Sequence, residues 1–503
     1  MSKSLDRDVF YNTITTSNGQ SLLRSLLSEP IRCVSRTSKP NDHRALLDEL
    51  PNETQAALPS RDGAVRLTDA YFEHCEFFSP IISSKHDFSS SIVLLYNEGP
   101  NGQTTLSGRS GVSPTMFRAY IVFATAVLLL NRTDSAFPIS RADNYFATAI
   151  QLLAQNPAVI CTGDPGHLCN LLLVAQYCCF ASNLSGAWHF VGVASRLAVE
   201  LGLHDERAVV TKLSQDEISQ RRWLFWALYT LERNLCVIVG RPFSIPDEAI
   251  HTPLPDLAEA DGSRALALHL IKHRRLESEI YTTLNQKPPV NGAVIDLLTW
   301  REGMRRRVIE WSNSAPTTTA PSTQLAPTDI FSSILHIDLV LLYYPSASFP
   351  DPSENDILIV AQSASECISN YRRAFRDGQL RFFWRTTHNL FRSGVATAYC
   401  VHLNSMHHYP DLNQADMIAS INTCMSVLWA MVERYPPGSV YRDAFEVLSN
   451  SVLRSASNVG SLGDVQHQGT SQIAFEQPFW ADMALPQTSL GALYWGFGNV
   501  PWS

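Results

Sequence analysis

An all-α fold is what this sequence predicts, and three observations predict it. Apolar residues recur at spacings of three and four through the interior segments. Helix start and stop signals bracket those segments, among them Asp164 with Pro165, Ser214 with Glu217, and Gly240 with Pro242. Strand signals are sparse, the best being "SIVLLY" at 91–96, a run short enough to be buried helix instead. The expected architecture is a large multi-helix array of antiparallel helical hairpins. A chain of 503 residues exceeds the size at which one core stops growing, so either two domains or one large array is required. The array reading takes residues 56–450 as one main helical domain, flanked by an extension at 1–55 and a tail at 451–503. Long polar loops are expected at 98–115 and 312–327, where proline, glycine and serine concentrate.

Three helices justify the architecture in order. Asp164 serves as an N-cap and Pro165 as a first-turn residue, after which Leu168, Leu171, Leu172, Ala175, Cys178 and Cys179 share a face. From Gly186 to Leu201 a second helix repeats Ala187, Phe190, Val191, Ala194, Leu197 and Ala198, and Gly202 stands where a left-handed C-terminal residue is wanted. The short connector at 181–186 makes these two antiparallel neighbours, with Ala187, Gly192, Ala194 and Ala198 expected to let their axes approach. The third helix begins at a capping box formed by Ser214 and Glu217, and Leu224, Leu228, Leu231, Leu235 and Ile238 make a continuous seam along it. Phe225, Trp226, Tyr229, Cys236 and Val237 widen that apolar surface, so the helix is expected to be central and contacted on several sides. Gly240 and Pro242 end it. Its charged residues Arg221, Arg222, Glu232, Arg233 and Arg241 are expected at helix ends or in ion pairs, with Asp247, Glu248 or Glu232 as carboxylate partners, and ligand binding is the alternative for Arg241.

Composition excludes several function classes. With 45% apolar and 17% charged residues the chain is globular, and a net charge of −8 supplies no global basic field for a phosphate backbone. The first twenty residues lack the apolar core of a signal peptide, and "IVFATAVLLL" at 121–130 is too short to span a bilayer, which reads as a soluble intracellular protein without a membrane role. Ten cysteines show no Cys-x-x-Cys and no ligand spacing, so they are expected to be reduced core thiols, and no metal or cofactor is expected. His407 and His408 beside Tyr409 read as a surface turn. No zincin, nucleophile-elbow, Walker or dinucleotide fingerprint is present, so no catalytic residue is assigned.

Two quoted stretches carry a family likeness. "SGAWHFVGVASRLAVELGLHDE" (185–206) followed by "SQDEISQRRWLFWALYTLERNLCVIVGRPFSIPDEAIHTPLPD" (214–256) resembles the fungal-specific transcription factor domain, the middle homology region of the binuclear zinc-cluster regulators. The structural signature is Arg221, Arg222, Phe225 and Trp226, then Gly240, Arg241 and Pro242. Residues 58–88 resemble that domain's entry, and residues 336–346 and 434–448 resemble its later helices more loosely. The resemblance implies a nuclear transcription regulator that binds partner regulators, coactivators or a small-molecule effector, in settings such as nutrient use or secondary metabolism. It also implies pairing into dimers, although no heptad seam long enough for a coiled coil is present.

One departure matters. Residues 1–55 hold a single cysteine, Cys33, where the family's zinc cluster uses six, so the expectation is a regulator without its own reading head, or a gene model that lacks an upstream exon. DNA contact is then indirect. The basic patches at 272–275, 305–307 and 371–385 are the fallback, and solvated helix faces explain them more simply. The tail at 464–503 contains seven aromatics and no lysine or arginine, a composition suited to an activation segment anchored by Phe479, Trp480, Tyr494 and Trp495, or to a strap packed on the domain. The rival readings are a helical ligand-binding scaffold with no transcriptional role and an unrecognised enzyme.

Overall fold

The computed structural model describes residues 55–96, 114–208, 210–256, 262–285, 296–316, 327–346 and 348–460, less a few side chains at segment ends. Every regular element among these residues is an α- or 3-10 helix. The 1–54 part of the extension with Cys33, most of both polar loops, and the tail with Phe479, Trp480, Tyr494 and Trp495 lie outside them. Two compact units emerge: one from residues up to Glu232 together with Ser244–Leu268, the other from Arg233–Phe243 and from His269 onward.

The first unit opens with α1 (Arg61–Cys75) and α2 (Lys85–Val93), followed by a 3-10 turn at Leu94–Tyr96. The ambiguous run at 91–96 is therefore helix and helical turn; its polar flank "SSS" leaves no second apolar face for a strand to bury. Then come α3 (Pro114–Asn131), α4 (Ile139–Gln155), the single turn α5 (Pro157–Ile160), α6 (Pro165–Phe180) and α7 (Leu184–Glu200). α3 packs on α1, α4 and α6, and twelve of its eighteen residues are buried, so its apolar length serves as core. Tyr71 of α1 donates to Gln176 Oε1 of α6 at 2.8 Å, and Phe146 of α4 stacks on Tyr177 of α6 with ring centres 4.0 Å apart.

The α6–α7 hairpin forms much as its sequence dictates. Asp164 caps α6 by accepting from His167 N at 2.9 Å, and Pro165 fills the first turn. Only residues 181–183 join the helices, so the chain must reverse. Ser182 adopts φ 71° there, Asn183 N donates to Cys178 O, and Asn183 Oδ1 takes the Gly186 N–H, which starts α7 two residues before the expected Gly186. Ala187, Ala194 and Ala198 are fully buried. Gly192 does not belong with them, because a methyl group built there meets nothing within 4 Å.

The long helix α8 (Gln215–Val239) contributes to both units, and Gly240 at φ 62° ends it. Its capping box is in place: Glu217 N donates to Ser214 Oγ at 3.3 Å while Ser214 N donates to Glu217 Oε2 at 2.9 Å. After α9 (Gly262–Asn285) the second unit contains α10 (Leu297–Asn313), α11 (Pro327–Tyr343), α12 (Glu354–Arg376), α13 (Phe383–His407), α14 (Gln414–Val432) and α15 (Ser439–Gly460). Within it α13 is the hub, packed against α11, α12, α14 and α15. Gly394 makes that crowding tolerable: an added Cβ would stand 2.6 Å from Phe445 Cζ and 2.8 Å from Cys424 Sγ. His407 and His408 form the exposed turn after α13, with His408 left-handed at φ 51°. Nine cysteines are described, none of them in a disulfide and eight buried, and burial raises the pKa of the thiols of Cys75 and Cys179 well above the ordinary value.

Candidate effector site

Two polar constructions stand out, one in each unit. The first gathers the family signature. Trp223, Phe225 and Trp226 of α8 are 1 to 2% exposed. Trp226 Nε1 donates to Pro253 O at 2.8 Å, Tyr229 donates to Asp247 Oδ1 at 2.8 Å, and His204 O accepts from His251 N and Thr252 N. Trp223 lies under the guanidinium of Arg264, 5.0 Å from its ring centre. Three pieces separate in sequence, the Leu-Gly-Leu-His turn, the Arg-Arg-x-x-Phe-Trp helix and the Thr-Pro-Leu-Pro segment, thus hold one another. Arg221 Nη2 donates to Leu201 O at 2.6 Å, and Arg222 forms a two-pronged ion pair with Glu206, whose Oε2 accepts from Nε at 2.9 Å. Glu206 was not among the expected carboxylates. Arg221 and Arg222 also line a small cleft with Gly202, Leu213 and Thr252. Of the remaining signature residues, Arg241 N closes the helix end on Cys236 O, and Arg241 and Pro242 are exposed.

The second construction lies inside the second unit and is made of charge. α9 presents His273, Arg274, Glu277 and Ser278 within six positions, and all four are at most 3% exposed. α13 turns Arg385, His388, Asn389 and Arg392 to one side at spacings of three, four and seven, all buried. Arg274 Nη1 bonds Glu277 Oε2, Arg385 Nη1 bonds Asn234 Oδ1 from the end of α8, and Arg385 Nη2 reaches Glu277 Oε1 at 3.4 Å. Arg233 Nε donates to Ser278 Oγ at 3.1 Å, with its guanidinium 4.2 Å over the Phe243 ring. From α12, the Tyr371 hydroxyl accepts from Asn389 Nδ2 at 2.8 Å.

Burial sets the protonation of these groups, and their neighbours modify it. Burial raises Glu277, yet Arg274 and Arg385 outweigh it and hold the carboxyl at about 2, so it is ionised. Burial lowers Arg385 to about 10, helped by the like charge of Arg274, and still leaves it cationic at neutral pH. Asp338 of α11 sits 2.7 Å from His273 Nε2. Burial drives the carboxyl well above and the imidazole well below their ordinary ranges, so both are pushed towards their neutral forms. His388 is likewise kept neutral by burial and then by Arg392 and Arg385. The chemistry on offer is electrostatic. Among the described residues no group of three or more His, Cys, Asp or Glu is placed to hold a metal ion.

Sequence reasoning took the basic patches at 272–275 and 371–385 for solvated faces. That holds for Lys272, Arg275, Arg372, Arg373 and Arg376, and for Arg305, Arg306 and Arg307, all exposed. It fails for Arg274 and Arg385, which point inward. The legible signal was the polar stripe Arg385, His388, Asn389, Arg392, set at helical spacing in the α13 sequence.

Residues 68–284 match the family model described as "Fungal specific transcription factor domain". The chain is 24% identical to the positive regulator of purine utilization of Emericella nidulans, over 81% of this chain and 48% of that protein. It is 26% identical to the pyrimidine pathway regulatory protein 1 of Saccharomyces cerevisiae, over 67% of this chain and 40% of that one. A lactose regulatory protein of Kluyveromyces lactis is 24% identical over 74% of the chain and 42% of its own length. The chain thus spans about half or less of the length of these curated relatives.

Proposed function

We propose that this protein, whose residues 68–284 match the model of the fungal specific transcription factor domain, is a nuclear transcription regulator whose helical units receive a small-molecule effector and partner regulators. The match of that domain to the segment holding the Trp223–Trp226 packing site is the observation that carries the reading. Relatives named for regulating purine, pyrimidine and lactose pathways favour control of a set of metabolic genes, and a secondary-metabolite cluster is the same kind of target. Their names are those of regulators, which speaks against a catalytic role.

DNA is reached through a partner in this reading. The net charge of −8 supports it, and so does the burial of Arg274 and Arg385, which removes two guanidiniums from the surface available to phosphates. The tail at 464–503 acts as an activation segment through Phe479, Trp480, Tyr494 and Trp495, and self-association into dimers fits the same class of protein.

The test is a reporter. The full chain fused to a heterologous DNA-binding module is expected to change reporter output, and fusing residues 464–503 alone is expected to activate it. Silence of both fusions removes the regulatory reading. In a gel shift the purified chain alone is expected to show no tight, sequence-selective band; such a band would overturn indirect DNA recognition.

A further inference from the structure

The charge cluster of the second unit is out of balance. Arg274, Arg385 and Arg392 are 1, 9 and 3% exposed, and guanidinium groups stay protonated in proteins. Against these three positive charges stands the carboxylate of Glu277, while burial pushes the carboxyl of Asp338, 2.7 Å from His273 Nε2, towards its neutral form. Glu277 is already engaged by Arg274 and Arg385. Arg392 is left over: its Nε is buried with no acceptor, and Glu277, Tyr281, Tyr441 and Asp338 act on it only through space.

The unmet hydrogen-bonding capacity nearby is mostly of the same sign, with Asp338 Oδ1 a buried acceptor that lacks a partner. Arg274 Nε and Asn234 Nδ2 are buried donors without acceptors. His388 Nδ1 faces the Tyr441 hydroxyl at 3.4 Å, and its Nε2 is buried with no partner. A buried cation without a counter-charge is strongly unfavourable, and donors without acceptors add to that cost. A cation or an amine would worsen both deficits. A small anion corrects both at once, and the flat fork of a guanidinium matches the oxygens of a carboxylate or a phosphate.

We propose that this cluster is the binding site of a small anion with one or two negative charges, a carboxylate or phosphate, held by Arg392 with Arg385 and His388 beside it. The assignment deepens the effector reading and rests on it for the regulatory consequence; binding itself is independent of transcription.

The test is thermal melting of the purified full chain in sodium malonate, in sodium phosphate, and in sodium chloride of matched ionic strength, with uncharged malonamide as the shape control. At saturating anion the wild-type melting midpoint is expected to rise by roughly 2–4 °C above the chloride control in at least one of the two anions, and not at all in malonamide. The two anion arms separate carboxylate from phosphate recognition. Arg392→Met is expected to abolish the rise, while Arg372→Gln, at an exposed position, keeps it. Absence of a rise with both anions overturns the proposal, as does a rise that survives in Arg392→Met. Should Arg392→Met not fold, calorimetric titration of the wild type decides: heat with malonate or phosphate and none with malonamide sustains the site, and any other result removes it. A chain that binds the anion while its reporter stays silent keeps the site and loses the effector reading; a responding reporter without anion binding does the reverse.

Discussion

Leu228 shows what a single position does here. It sits mid-seam on α8 at 2% exposure, between Leu224 and Leu231, which are similarly buried. Leu228→Asp places an unpaired carboxylate where no cation is at hand and is expected to cost several kcal/mol, read as a lower midpoint in chemical denaturation; an unchanged midpoint would show that the seam is not core. Arg222 behaves differently, since its worth depends on one partner. Its two-pronged bond with Glu206 is largely shielded, so Arg222→Ala and Glu206→Ala are expected to be non-additive by about 0.5–3 kcal/mol in a double-mutant cycle. Glu206 was invisible as that partner because it belongs to a turn after α7, sixteen residues away, and no helical periodicity links the two. The arginines at 274 and 385 were misjudged for a related reason: type alone says that charge prefers water, and only neighbours from four other helices reverse that preference.

At the scale of elements, helix type and ends were read well and helix environment less so. Asp164, Ser214, Gly202 and Gly240 mark their helix ends as local chemistry requires, because a cap needs only its own backbone. Gly192 shows the limit: small size suggested a contact, but the face on which it lies is decided by what the rest of the chain brings there. Gly394 is the opposite case, a glycine that periodicity did not single out and on which the packing of α13 against α14 and α15 depends. Gly394→Ala forces Phe445 and Cys424 to move and is expected to destabilise by about 1–3 kcal/mol in a denaturant titration. A gain in stability would mean that the three helices are less tightly packed than their atoms indicate.

Over the whole molecule, acid is expected to destabilise the fold through buried histidines. Burial lowers His167 of the first unit to about 4, only partly offset by Asp164, and burial with His273 and Lys272 lowers His269 of the second unit to about 4. Both folded values lie below the ordinary 6.5, so the unfolded chain binds the extra protons and stability is lost as pH falls from 6.5 towards 4. The loss approaches about 1.4 kcal/mol per pH unit for each fully shielded histidine, and less for His269, which is partly solvated. Melting midpoints measured from pH 7.5 to 4.5 are expected to fall steadily below 6.5, with a shallower slope in His167→Gln. A flat profile would contradict the buried neutral state.

The amino-acid sequence alone determined that the chain is helical, where its main helices start and stop, that α8 is wrapped by neighbours, and which family its signature matches. Those properties follow from periodicity and from bonds that close within a few residues, so they are written locally. Tertiary structure alone decided which charges go inside. Arg274, Arg385 and Arg392 come from helices more than a hundred residues apart, and their burial depends on carboxylates, amides and phenols that long-range packing carries to them. An electrostatic site of this kind exists only as a sum over distant segments, and linear spacing contains no term for it.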